Sequence, residues 1–359
     1  RAGGLSGLLS EPDRATFLAV SDQEVPRLHR IRLDIDGRGC RPTVLDTLVL
    51  RWPDGDVPAR AARDFEDLTR WPGGDLLLAN ESDEGKRSES APGLHRFTLD
   101  GQYVRSLEVP SRLWPRPGAG VRFNASLESV TISPDGQHLY AAIEQPLVQD
   151  DGAATIVRGG ASRLIEYRRQ GDDYRPAREF ALTIDPIPHP GHILPRWADI
   201  GLVALTALDD GSVLMMERSF VAGTRDGMRA SRNDILISRL RLEPADDVTQ
   251  VERLRDSPLV RPAEKQRLAS LRDFAPALPS WLGALDNFEG MALGPLLPDG
   301  SSTLVLVSDD NFNPTQRTAF IVLRFRPGEA TGRGRDEAGP PRVQLAHDGT
   351  SRNPSRGSR

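Results

Sequence analysis

The sequence predicts an all-β fold: a β-propeller of about five to six four-stranded blades in a single domain. Two observations carry this expectation. A pair of apolar runs around a turn of the Pro-Asp-Gly or Gly-Gly kind recurs five times. Each pair is then followed by further strand-like runs, several of which alternate apolar and polar residues as half-buried strands do. Four strands per unit, repeated along the chain, is the pattern of propeller blades. A β-sandwich is the rival architecture, but five similar hairpins are more than coincidence supplies.

Taken in order, the inner hairpins fall near residues 5–22, 65–81, 127–144, 202–218 and 288–310. Their turns are Glu11-Pro12-Asp13, Pro72-Gly73-Gly74, Pro134-Asp135-Gly136, Asp209-Asp210-Gly211 and Pro298-Asp299-Gly300. Such residues set the backbone angles that a tight reversal needs. Outer strands are expected at 28–33, 94–99, 103–107, 163–167, 234–240 and 319–325. The segment 81–91 is a charged loop with Lys86 and Arg87. Segments 110–123 and 185–197 are Pro-rich insertions containing Trp114 and Trp197. Residues 253–275 have helical spacing, with Lys265, Leu268, Leu271 and Phe274 on one face. A sixth blade would have to come from 240–285 or from chain preceding Arg1. A short strand is expected at 342–346, which places the propeller domain over 1–347 and a disordered tail over 348–359.

Composition narrows the function. The formal charge of −5 among 359 residues is mild and argues against a nucleic-acid binder. A single cysteine, Cys40, excludes a disulfide framework and a Cys-rich zinc site. No apolar run approaches the ~18 residues of a membrane span. The chain starts at Arg1 without a methionine, so the reading is an exported protein, periplasmic or secreted, whose signal peptide has been removed. A monomer is expected.

The hairpins also bring acids together. If they are the inner strands of blades, Glu66, Glu128 and Glu289 stand around one mouth of the central channel. Asp22, Glu81, Glu144, Glu217, Asp309 and Asp310 lie just outside, with Asn80, Asn124, Asn287 and Asn311 as neutral oxygen donors. Crowded carboxylates repel and need protons or a compensating cation. A ring of Asp, Glu and Asn without Cys points to Ca2+ or another hard divalent cation rather than zinc. Arg218 and Arg122 approach the same rim, and an arginine beside a cation suits a phosphate or carboxylate ester.

Several of these stretches resemble the phytase-like family, also described as "esterase-like activity of phytase". They are Gly3-Gly4-Leu5-Ser6-Gly7-Leu8, Phe65-Glu66-Asp67-Leu68 with Asn80-Glu81, Asn124 and Glu128 with Glu144, and Met216-Glu217-Arg218. The strongest are Asp286-Asn287-Phe288-Glu289-Gly290-Met291 and Ser308-Asp309-Asp310-Asn311. The resemblance spans roughly residues 3–326 and implies a bacterial, exported propeller that hydrolyses phosphate or carboxylate esters. Two departures stand out: Phe65-Glu66-Asp67 and Glu128-Ser129 lack the glycine that follows the family's glutamate.

The expected function is therefore a metal-dependent hydrolase acting on a small anionic or ester substrate. Glu66, Glu128, Glu289, Asn124 and Asn287 would hold the cation, Arg218 would stabilise developing negative charge, and Glu144 or Asp309 would act as base. The rivals are a non-catalytic, cation-stabilised propeller that binds a ligand or protein partner, and a calcium-dependent lactonase-like enzyme.

Overall fold

The computed structural model describes residues 2–21, 25–36, 39–52, 64–81, 92–278, 282, 285–325 and 344–345. Asp22, Lys86, Arg87 and the tail 348–359 lie outside the described residues. Among the described residues, twenty strands form five antiparallel sheets of four, each in simple sequence order. Blade 1 is β1 (Leu5–Ser10), β2 (Thr16–Ser21), β3 (Arg27–Asp36) and β4 (Gly39–Val49). Blade 2 is β5 (Phe65–Arg70), β6 (Leu76–Asn80), β7 (Gly93–Phe97) and β8 (Tyr103–Leu107). Blade 3 is β9 (Leu127–Ile132), β10 (His138–Ile143), β11 (Gly160–Gln170) and β12 (Asp173–Ile184). Blade 4 is β13 (Leu194–Ala207), β14 (Val213–Arg225), β15 (Met228–Arg241) and β16 (Glu264–Ser270). Blade 5 is β17 (Asn287–Leu293), β18 (Ser302–Asp309), β19 (Phe320–Phe325) and β20 (Gln344–Leu345).

The first strands close a ring: β1 packs on β5, β5 on β9, β9 on β13, β13 on β17, and β17 back on β1. The protein is thus a five-bladed propeller, at the lower end of the predicted range. The described residues of 240–285 make no sixth blade. They supply β16, the outer strand of blade 4, followed by a 3-10 helix at Leu271–Ala277. The helical spacing read over 253–275 is realised only as two short 3-10 helices, Leu254–Asp256 and Leu271–Ala277, with Lys265 and Leu268 in β16 between them.

The unbroken apolar runs of the second strands have a simple cause. Successive side chains on a strand point to opposite faces. In a propeller, both faces of a blade meet a neighbour. On β6, Leu77 and Ala79 pack toward blade 3, while Leu76 and Leu78 pack toward blade 1. On β18, Val305 and Val307 join blade 1, while Leu304 and Leu306 join blade 4. β2, β10 and β14 divide their residues in the same way, so each of the five interfaces owns one apolar cluster.

The closure between blades 5 and 1 has a polar latch. Gly4 N–H donates to Asp310 Oδ1 at 2.9 Å, and Phe312 N–H donates to the same oxygen at 3.1 Å. Asp310 is 1% exposed, and a side chain at Gly3 would meet its carboxylate at 2.8 Å. Asp310→Ala should therefore strand buried N–H groups and cost about 1–3 kcal/mol. A shift in the urea midpoint checks this; an unchanged midpoint would mean that the latch is dispensable.

Candidate functional site

Every inner strand carries a β-bulge at the same end. The register skips one residue between Leu5 and Gly7, Phe65 and Asp67, Leu127 and Ser129, Leu202 and Ala204, and Phe288 and Gly290. The skipped residues are Ser6, Glu66, Glu128, Val203 and Glu289. A bulge leaves its extra residue unpaired and re-aims the side chain. Three blades use it to bring a glutamate to the channel mouth. Blades 1 and 4 use it for serine and valine.

A second tier stands at the adjacent strand ends. Glu81 follows β6, Glu144 follows β10, and Asp309 ends β18. In blade 4 the equivalent place belongs to Arg218, which pairs across from Gly201. Arg218 is thus a cation where blades 2, 3 and 5 put an acid. Its Nη2 lies 3.2 Å from Glu289 Oε1 of blade 5 and 3.7 Å from Glu144 Oε1 of blade 3. Its Nη1 lies 3.9 Å from Asp199 Oδ1. Gly201 makes room for this: a Cβ there would lie 2.2 Å from Glu144 Cγ.

The carboxylates beyond Arg218 form a continuous cluster. Single oxygens of Asp64, Glu66 and Glu81 lie within 4.8 Å of one another, as do those of Glu81, Glu128 and Glu144. Glu81, Glu128 and Glu144 are buried, and Asp64 and Glu66 are half-buried. Glu81 Oε1 also accepts the Ser126 N–H at 2.6 Å, which joins blade 2 to the entry of blade 3.

Burial, reinforced by crowding, moves the five glutamates Glu66, Glu81, Glu128, Glu144 and Glu289 upward. Burial raises Glu66, and Glu128 and Asp64 add to it. Burial raises Glu128, reinforced by Glu144 and Glu81. Burial raises Glu81, with Glu144 and Asp64 adding and the Ser126 N–H opposing. Glu144 is pushed up to about 8 by burial, with Arg218 pulling against it. Glu289 is raised by burial, opposed by Arg218 and by the Asn287 amide, which donates to Glu289 Oε1 at 2.8 Å. Burial opposes the Arg218 charge, but Glu289, Glu144 and Asp199 outweigh it and hold the guanidinium pKa above its ordinary value.

The cluster opens into a cavity of about 1470 Å³. Glu66, Glu128, Glu289, Asn124, Asn287, Glu144, Asp309 and Arg218 all line it. The structure therefore brings the residues singled out from sequence to one place, but with unequal surroundings. Glu66 and Glu128 belong to the close oxygen groups, whereas Glu289 engages Arg218 and Asn287. Asn124 lines the wall with φ +47°. Asp309 Oδ1 accepts the Asn311 N–H at 2.8 Å.

Glu217 departs from expectation. It pairs opposite Leu202 and turns away from the channel, with Oε2 2.6 Å from Lys265 Nζ and Oε1 accepting the Asp185 N–H at 2.8 Å. Asp310 likewise serves the latch. Asp64 and Asp199 have no counterpart among the hairpin motifs, so repeat comparison missed them. Trp197, read as part of a Pro-rich insertion, lies in β13, because blade 4 continues its strands beyond the rim.

The five-carboxylate cluster fits a hard divalent cation. Ca–O distances of about 2.3–2.6 Å put two ligands of one ion no more than about 5 Å apart. The oxygen separations within each group of three meet that limit. Buried acids driven toward protonation are also the state that a cation relieves.

The family described as "Phytase-like: Esterase-like activity of phytase" matches residues 1–312. An "Uncharacterized secreted protein" of Arthroderma benhamiae is 23% identical over 235 residues, covering 50% of this chain. The chain spans 46% of that relative, about half its length. Penicillium chrysogenum alpha-L-arabinanase is 13% identical, with 96% of this chain and 80% of that one covered at a TM-score of 0.43. A xyloglucanase from Xanthomonas campestris is 12% identical, with 96% and 54% covered at a TM-score of 0.35. Among the described residues, no helix is long and apolar enough to cross a membrane.

Proposed function

The chain belongs to the phytase-like, esterase-like family, and from that premise we propose that it hydrolyses phosphate or carboxylate esters in the acidic cavity. The observation that carries this reading is the arrangement at the channel mouth: five clustered carboxylates beside one half-buried arginine. Asp64, Glu66 and Glu81 would hold Ca2+ or another hard divalent cation, with Glu128 alongside through its closeness to Glu81 and Asn124 as a neutral oxygen on the wall. When bound, such a cation offsets the carboxylate charge and polarises an ester oxygen.

The chain's own groups do the rest. Arg218, fixed by Glu289 and Asp199, presents a cation to the anionic or carbonyl oxygen of the substrate and stabilises charge that develops there. Asn287 holds Glu289 in that task. Glu144 is the member of the carboxylate cluster that reaches Arg218, and burial, which pushes its pKa up to about 8 in the cation-free protein, fits it to take or give a proton. Asp309 is the alternative proton acceptor on the facing wall, although one of its oxygens already holds a backbone N–H. Export to the periplasm or the medium is part of the proposal, supported by the secreted relative.

A second reading has its own support. Arg218 of blade 4 ties Glu144 of blade 3 to Glu289 of blade 5, and Glu81 ties blade 2 to blade 3. The same site then serves as a structural clasp in a binding module.

Turnover of phosphomonoester, carboxylester and lactone panels separates the two. The hydrolase reading expects turnover of one ester class. It also expects Glu144→Gln to lower kcat by about 10²–10⁴-fold, the usual range for losing a proton-transfer group, in a protein that still melts cooperatively. No turnover across all three panels would favour the clasp.

A further inference from the structure

Blade 4 extends past the rim, and its projecting face carries an aromatic corner. Along the cavity-facing side of β13 and β14, Arg218 pairs opposite Gly201, Phe220 opposite Asp199, and Ala222 opposite Trp197. Two residues of strand advance about 6.7 Å. Phe220 and Trp197 therefore stand roughly one and two such steps outward from Arg218. Their ring centroids are 5.4 Å apart with the planes tilted at 58°, and both rings line the cavity. Trp197 is 54% exposed, and Phe123, 60% exposed, faces the same cavity from the entry to blade 3. Ala222, beside Trp197, adds no bulk that would fill the corner.

We propose that this corner binds the aryl group of the substrate, so that the hydrolysed ester carries an aromatic ring a short linker away from the ester group. Two rings at 58° let a third lie against one face while presenting its edge to the other, the arrangement that aromatic quadrupoles favour. The offset of one to two strand steps leaves room for the ester beside Arg218 when the ring is seated. This rests on the hydrolase reading of the same cavity and specifies what that cavity selects.

The test compares 2-phenylethyl, 2-cyclohexylethyl and ethyl esters of one acid, whose alcohols leave with similar ease. The expected result is a kcat/KM for the phenyl compound about fivefold above the cyclohexyl one, within the range that aromatic pairing supplies, and higher still over ethyl. Trp197→Ala and Phe220→Leu should each collapse the phenyl-over-cyclohexyl ratio to within about twofold, given that same aromatic contribution. Equal kcat/KM for the three esters, or a preference that survives both substitutions, would overturn the proposal.

Calorimetric binding of 2-phenylethylphosphonate against ethylphosphonate reads the corner without catalysis. Ring-selective binding without turnover would sink the hydrolase reading and keep the corner. Turnover without ring selectivity would do the reverse.

Discussion

Replacing Arg218 with methionine should destabilise the protein by about 3–5 kcal/mol at pH 8, the usual cost of leaving buried partner charges uncompensated. For a chain of 359 residues, at about 2.1 cal/mol/K of unfolding entropy per residue, that is roughly 4–7 °C in Tm. Arg218 is the cation that Glu144, Glu289 and Asp199 share, and its side chain is only 14% exposed. Methionine keeps much of the volume and removes the charge.

The loss should shrink at pH 5. Without the guanidinium, Glu144 and Glu289 rise further above their unfolded values. A raised folded pKa gives stability that is present below the unfolded value and lost as pH rises through the folded one. The deficit is therefore greatest where the acids are forced to ionise. Arg218→Lys should recover only part of it, because one ammonium cannot span acids on blades 3 and 5 as a planar fork does. Thermal melts at both pH values check the prediction. Equal melting of wild type and Arg218→Met at pH 8, or an equal loss at both pH values, would show that the arginine does not hold the acids.

Stripping hard cations with a chelator should lower Tm at pH 8 and change it little at pH 5. In the cation-free protein, Glu144 is raised from 4.5 to about 8, and Glu66, Glu81 and Glu128 are raised as well. At pH 5 Glu144 keeps its proton, and its raised neighbours carry less charge and repel less than at pH 8. Between about pH 4.5 and 8 the folded state binds more protons than the unfolded one, so its stability falls as pH rises. At about 1.4 kcal/mol per pKa unit, Glu144 alone makes this effect several kcal/mol. Adding Ca2+ should restore the loss, and the restoration should grow over the same pH window. Chelator-insensitive melting at pH 8 would contradict the cation site.

The five hairpins were legible because a strand buried on both faces reads as an unbroken apolar run. Pro-Asp-Gly and Gly-Gly turns mark the reversals. Strand ends gave Glu66, Glu128 and Glu289 as a set, and the bulges explain why they share a place. The same bulges explain Glu217 and Arg218. Skipping Val203 leaves Glu217 opposite Leu202, directed at Lys265, and puts Arg218 at the channel mouth. Adjacent residues of a strand point opposite ways, so a one-residue offset invisible in sequence decides which of the two serves the site. Asp64 and Asp199 were not legible, because each lies outside the repeated hairpin pattern and gains its meaning only from neighbours on other strands. The reach of Trp197 into the cavity depends on the extra length of β13, which its proline-rich surroundings conceal.

Calorimetric titration of chelator-stripped protein with Ca2+, in wild type and in Glu81→Gln, tests the central claim most directly. Glu81 belongs to both close oxygen groups, so its charge should matter to any ion that either group holds. The account predicts saturable binding by the wild type and at least about a tenfold weaker affinity in the variant, the equivalent of about 1.4 kcal/mol. No binding by the wild type, or equal affinity in both proteins, would contradict it.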